Sequence, residues 1–132
     1  KMGFWLMPET GHQSYMITFP REEDFAQIVE IIRPLAQKRI LGNIPQLRHV
    51  IQELAVTGKP RSHWYTGPGQ MPREVIREKA SKLPCGDVSW VFYGTQYGDE
   101  ASIASQLKLS KSEFGRIEGA KFLFPSDVPA DH

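Results

Sequence analysis

Val88-Ser89-Trp90-Val91-Phe92-Tyr93-Gly94-Thr95-Gln96-Tyr97 is the stretch that decides the fold. Its aromatic and β-branched residues fit a pleated, packed surface, and their density on both sides of the strand predicts that both faces are covered. A strand of this kind needs partners. Ser14-Tyr15-Met16-Ile17-Thr18-Phe19, ending at Pro20, has the same composition, and Phe122-Leu123-Phe124 before Pro125 supplies a short last strand. Residues 2–8 read as a further strand, separated from 14–20 by the turn-like Glu9-Thr10-Gly11-His12.

Between the strands the period changes from two to that of a helix. Phe25, Ile28, Val29, Ile32 and Leu35 fall on one helical face, preceded by Glu22-Glu23-Asp24, where the positive end of the helix dipole favours acids. Pro34 is expected to end or kink this helix near Ile32 or Arg33. A second helix is expected from Asn43 as cap and Pro45 in the first turn to Gly58, with Leu47, Val50, Ile51, Leu54 and Ala55 as its stripe. Residues 59–70 read as a loop carrying His63, Trp64 and Tyr65. Pro72 opens a third helix (Val75, Ile76, Ala80, Leu83), closed by Pro84 and Gly86, and Asp99 or Ser102 opens a fourth through Ile103, Leu107, Ser110, Phe114 and Ile117. The sum is an α+β fold: an antiparallel sheet with helices packed on one face, loosely ferredoxin-like.

Composition narrows the function more than any motif does. The chain has 132 residues, about one domain, and 16 basic against 15 acidic side chains give a net charge of +1. The interspersed charges leave no footprint for nucleic acid or an anionic membrane, and no apolar run approaches the ~20 residues of a membrane span. The reading is of a soluble chain, compatible with cytoplasm or periplasm. Cys85, the single cysteine, forms no internal disulfide and has no base nearby in sequence, so it reads as a passive thiol. His12, His49, His63 and His132 are not at metal-ligand spacing and read as structural or solvated. Gly67-Pro68-Gly69 lacks the Lys-Ser/Thr of a phosphate loop, and its proline removes an N–H donor. Trp90, Phe92 and Tyr93 either line a pocket for a flat ligand or pack as core, and core is the commoner use of such a stripe. No catalytic constellation emerges; the pattern is of a module that shapes a site.

Five blocks carry a resemblance that covers nearly the whole chain. They are Lys1-Met2-Gly3-Phe4-Trp5-Leu6-Met7-Pro8, Gln13-Ser14-Tyr15-Met16-Ile17-Thr18-Phe19-Pro20, Ile31-Ile32-Arg33-Pro34-Leu35, Asn43-Ile44-Pro45-Gln46-Leu47-Arg48-His49 and Trp90-Val91-Phe92-Tyr93-Gly94-Thr95-Gln96-Tyr97-Gly98. Gly119-Ala120-Lys121-Phe122 also fits. In order and spacing they resemble the vanillyl-alcohol oxidase-like flavoproteins, the group that includes 4-cresol dehydrogenase (p-cresol methylhydroxylase) and eugenol oxidase. The resemblance implies that residues 1–13 are the end of a strand of the FAD-binding domain and its connector, and that residues 14–132 are part of the cap, or substrate-binding, domain. The opening, which enters a strand directly, reads as a cut inside a longer protein.

The resemblance further implies a parent enzyme that oxidises para-substituted phenols with FAD. The flavin-attachment histidine, the pyrophosphate loop and the phenolate-binding pair would lie outside this piece, so the chain alone is expected to be inactive, to bind no FAD, and to self-associate through faces left open by the missing FAD-binding domain and the rest of the cap. No residue here inherits a catalytic role. Gln52 matches a position that presents a side chain to the substrate pocket, while its place outside the apolar stripe equally suits a polar helix face. Trp90 and Tyr93 are weaker pocket candidates. The competing reading is a stand-alone α+β ligand-binding or oligomerisation module.

Overall fold

The computed structural model describes residues 11–41, 45–83 and 85–127. Strand β1 (His12–Phe19) lies antiparallel to β3 (Trp90–Tyr97), in register from His12 opposite Tyr97 to Phe19 opposite Trp90. Strand β2 (Gln46–His49) pairs with the outer edge of β3, and β4 (Lys121–Leu123) with the outer edge of β1, giving the order β2-β3-β1-β4. Helix α1 (Phe25–Gln37) connects β1 to β2, and helix α5 (Glu100–Phe114) connects β3 to β4. Two such crossovers interleaved in one antiparallel sheet are the ferredoxin-like arrangement expected from the sequence. Between β2 and β3 the chain leaves the sheet as α2 (Val50–Ala55), α3 (Arg61–Trp64) and α4 (Arg73–Ala80). The two ends of this excursion meet, since the Val50 N–H donates to the Ser89 carbonyl at 2.9 Å.

The alternation along the strands sorts side chains into two cores. Tyr15, Ile17 and Phe19 of β1 and Phe92 of β3 face α1 and α5, where they bury Ile28, Ile31, Leu35 and Phe114. Phe114 is fully buried, with its ring centroid 5.9 Å from that of Phe19 and 5.4 Å from that of Phe92. On the other face Met16 and Val91 pack with Val50, Ala80 and Cys85, with Ile76 and Leu83 alongside. The main helical layer is therefore α1 and α5, and the excursion adds a partial second layer across part of the opposite face. That placement covers both sides of β3, as its composition requires.

Three sequence expectations change. Residues 46–49, read as the start of a helix, are a strand: the free backbone groups of β3's edge take them in, and the register Leu47 opposite Phe92 turns Leu47 to the main core. The expected cap Asn43 lies outside the described residues, and α2 starts instead at His49. Pro34 does not end its helix, which runs to Gln37 with Pro34 inside. The missing N–H costs one backbone bond, but burial of Ile31 and Leu35 on either side holds the turn, and the Pro34 carbonyl still accepts from Lys38 at 3.0 Å. Residues 59–70 contain the short helix α3, and Trp64 and Tyr65 are half-buried. The expected strand at 2–8 lies outside the described residues.

Two glycines are required by geometry. Gly119 has a φ of 85°, and a Cβ there would meet Pro20 Cγ at 2.7 Å. Gly94 in β3 lies under its cross-strand partner Tyr15, whose ring would be 2.6 Å from an added Cβ. Tyr15 cannot step aside, because it is buried and stacked against Phe122 at 5.9 Å. Gly94→Ala is expected to destabilise the fold by ~1–3 kcal/mol, the usual cost of overpacking a core, read as a lower urea midpoint with an unchanged slope.

Candidate functional site

A polar chain begins at the first residue of β3. The Trp90 indole N–H donates to the Glu22 carbonyl at 3.0 Å, and its ring stacks on Phe25 with centroids 4.8 Å apart. His49, at the end of β2, sets its ring edge against Trp90 at 4.9 Å. Its Nδ1 accepts the Ile51 N–H at 3.3 Å, capping α2, and its Nε2 lies 2.8 Å from Glu22 Oε1. An accepting Nδ1 places the proton of the neutral ring on Nε2, so His49 donates to Glu22. The second carboxylate oxygen of Glu22 accepts from Arg73 Nη2 at 2.6 Å. Glu22 thus ties the turn after β1 to the end of β2 and the start of α4. Read from sequence as a helix-dipole acid, it is a bridge between distant segments.

This bridge borders a cleft of about 1150 Å³. Ile51, Leu54 and Ala55 of α2 and Ile76 of α4 line it, with Trp64, Lys59 and Arg61 on the α3 side. Arg61 organises the rim: its guanidinium donates to the carbonyls of Tyr65 (3.5 Å), Gly67 (3.2 Å) and Gly69, and lies over the Tyr65 ring with Cζ 5.3 Å from the centroid. The Gly67-Pro68-Gly69 turn is folded about a cation through its carbonyls, the opposite polarity to a phosphate cradle built of N–H groups.

A second polar group sits on the other face of β3. Tyr93 donates from its hydroxyl to Glu53 Oε2 at 2.7 Å, and Arg48 Nη1 lies 3.5 Å from Glu53 Oε1 with its Cζ 5.1 Å over the Tyr93 ring. Arg48 also donates to Gln46 Oε1 at 2.6 Å. Burial, then the Glu53 carboxylate, pushes the Tyr93 phenol well above its ordinary range. The same two causes raise Cys85 to about 11, so its thiol stays protonated at neutral pH, too weak a nucleophile to act unaided. Glu53 was missed in the sequence because an acid in a helix's first turn has a ready explanation. The available signal was its spacing from Val50 and Leu54, which puts it on the buried side.

The three sequence candidates do not converge. Trp90 and Tyr93 point to opposite faces of β3, and Gln52 is exposed on α2, outside the cleft. Among the described residues no group of His, Cys, Asp and Glu is arranged to hold a metal ion, and no helix is long and apolar enough to cross a membrane.

No protein-family model matches the chain. The 4-cresol dehydrogenase [hydroxylating] flavoprotein subunit of Pseudomonas putida is 27% identical over 118 residues, which are 89% of this chain and 22% of that protein. The structure of p-cresol methylhydroxylase with substrate bound superposes with a TM-score of 0.83 at 23% identity, covering 94% of this chain and 24% of that one. The structure of 4-ethylphenol oxidase from Gulosibacter chungangensis in complex with isoeugenol gives 0.81 at 28% identity, covering 92% and 23%. The resemblance read from the sequence holds. It holds over a limited span, since this chain corresponds to less than a quarter of each relative.

His49 both caps α2 and bonds to Glu22, and these roles separate by substitution. His49→Ala is expected to cost ~1–3 kcal/mol, through loss of the α2 cap and of the bond to Glu22. His49→Asn keeps a capping oxygen and should recover about 1 kcal/mol of that, measured as the difference between the two urea midpoints.

Proposed function

We propose that the chain is the first part of the cap, or substrate-binding, domain of an FAD-dependent oxidoreductase acting on para-substituted phenols. The observation that carries this is the joint likeness to 4-ethylphenol oxidase, a TM-score of 0.81 with 28% identity over 92% of this chain and 23% of that one. In this reading residues 1–13 belong to the connector from the FAD-binding domain and residues 14–132 to the cap. The described residues offer no dinucleotide cradle: the one glycine-rich turn is closed around Arg61 by its carbonyls, and FAD is to be held by the remainder of the parent. FAD supplies the redox chemistry when bound there. The role left to this chain is to cover and shape the phenol pocket and to keep water from it.

Several apolar side chains are set for such a role. Phe25, Leu109 and Val56 are 46%, 41% and 60% exposed, and β2 and β4 are short strands on the sheet's flanks. In the proposed parent they dock against the FAD-binding domain and the rest of the cap; in the isolated chain they drive self-association. The test is gel filtration with light scattering after incubation with excess FAD. The expected result is a colourless protein larger than a monomer. A stoichiometric flavin band that stays with the chain, or a monomer over a wide concentration range, overturns the cap-fragment reading in favour of an independent module.

Gln52 is the proposed substrate-facing residue of the parent, reaching from the exposed side of α2 toward the para substituent. A carboxamide there would hydrogen-bond a polar side chain on the phenol. Gln52→Leu in the parent is expected to shift the ratio of kcat/KM for vanillyl alcohol over 4-ethylphenol toward the alkylphenol by ~1–3 kcal/mol, with flavin content unchanged. An unaltered ratio removes Gln52 from the pocket.

A further inference from the structure

The cleft between α2, α3 and α4 has an uneven charge that the cap role does not use. Arg21, Lys59, Arg61, Arg73 and Arg77 border it, against Glu22 and Glu23, although the chain as a whole carries only +1. Some of that charge is already answered. Arg21 pairs with Asp24 at 3.2 Å, and Arg77 donates to both oxygens of Asp87 at 3.1 Å. Arg73 shares the single carboxylate of Glu22 with His49. Arg61 is bound by carbonyls, which orient the guanidinium without cancelling its charge. Among the described residues Lys59 has no ion-pair partner. The surplus therefore lies on the α3 side, at Lys59 and Arg61, while Arg73, whose charge Glu22 answers, keeps a 72% exposed side chain that can still donate to a ligand.

The wall made by α2 and α4 is apolar: Ile51 is half exposed, with Leu54 and Ile76 beside it, and from the α3 side Trp64 adds a half-buried indole. An inorganic anion would leave that wall wet, and an uncharged hydrocarbon would desolvate cations without pairing them. A volume of about 1150 Å³ is ample for a small organic molecule.

We propose that this cleft binds a small aromatic carboxylate, with its ring against Ile51 and Trp64 and its carboxylate toward Lys59 and Arg73. The proposal stands apart from the flavin reading, because it uses only residues of this chain. Arg61 contributes by holding the 65–70 rim in place, so that binding does not have to order it. Electrostatic attraction brings the anion in, and burial of the ring keeps it there.

The test is titration of the full chain with 2-naphthoate, followed by amide and indole NMR shifts. Saturable shifts at Ile51, Arg73 and the Trp64 indole are expected, with 2-naphthylmethanol, the uncharged analogue, bound about tenfold more weakly or worse, since it lacks the charge-assisted bonds. Lys59→Gln combined with Arg73→Gln should weaken 2-naphthoate to a similar extent while shifts from the core around Phe114 stay in place. If the double variant is not folded, Lys59→Gln alone decides, because Lys59 is exposed and holds no ion pair, and it should weaken binding several-fold. Sulfate at matched ionic strength should not displace the ligand. Equal binding of acid and alcohol, binding unaffected by Lys59→Gln, shifts confined to another surface, or no saturation by about 5 mM overturns the proposal.

Discussion

Every other element hangs on the pairing of β1 with β3. Eight residues of each strand lie in continuous register, and each strand then carries one neighbour on its outer edge. The pair joins His12 to Tyr97 and Phe19 to Trp90, so it closes a long stretch of chain, and that loop-closure entropy must be met before the sheet gains anything. The aromatic side chains are the compensation. Phe19, Phe92 and Phe122 converge on Phe114, which reaches the sheet from α5 and, among the described residues, is the one helical residue in ring contact with three strands, while Tyr15 packs against Phe92 and Phe122. A shift of one residue in the pairing would exchange the two faces and send these rings to the wrong side.

How far the sequence could be read follows from where the information lies. The central strands were legible because their own residues demand burial on both sides, and α5 was legible because Asp99 caps it, accepting from the Ser102 N–H at 2.7 Å. Strand β2 was not. Leu47, Val50, Ile51 and Leu54 satisfy a helical stripe as well as the real strand-to-helix switch, and only the open edge of β3 chooses between them. Pro34 illustrates a related limit: a local rule that costs about one hydrogen bond gave way to the burial of Ile31 and Leu35 on either side.

The candidate site was less legible still, for a physical reason. Its connections join residues far apart in sequence: Glu22 to His49 and Arg73, and Tyr93 to Glu53 and Arg48. Each partner has an adequate local explanation, as a helix-start acid or a surface base, and nothing in local spacing indicates that they meet. Trp90 and Tyr93 were singled out as aromatics, but their polar ends are what the structure uses: the indole N–H on a backbone carbonyl and the phenol on a buried carboxylate.

The bond from Val50 to Ser89 has an evolutionary consequence. It closes the two ends of the 51–88 excursion where strand pairing has already brought them together, and Glu53, Arg73, Ala80 and Cys85 anchor the excursion further along. A segment held in that way can change length between its anchors at little cost to the scaffold, because the ends stay where the sheet holds them. The cleft is built largely from this grafted piece, so its ligand preference can diverge between related proteins while the sheet and its aromatic core stay the same.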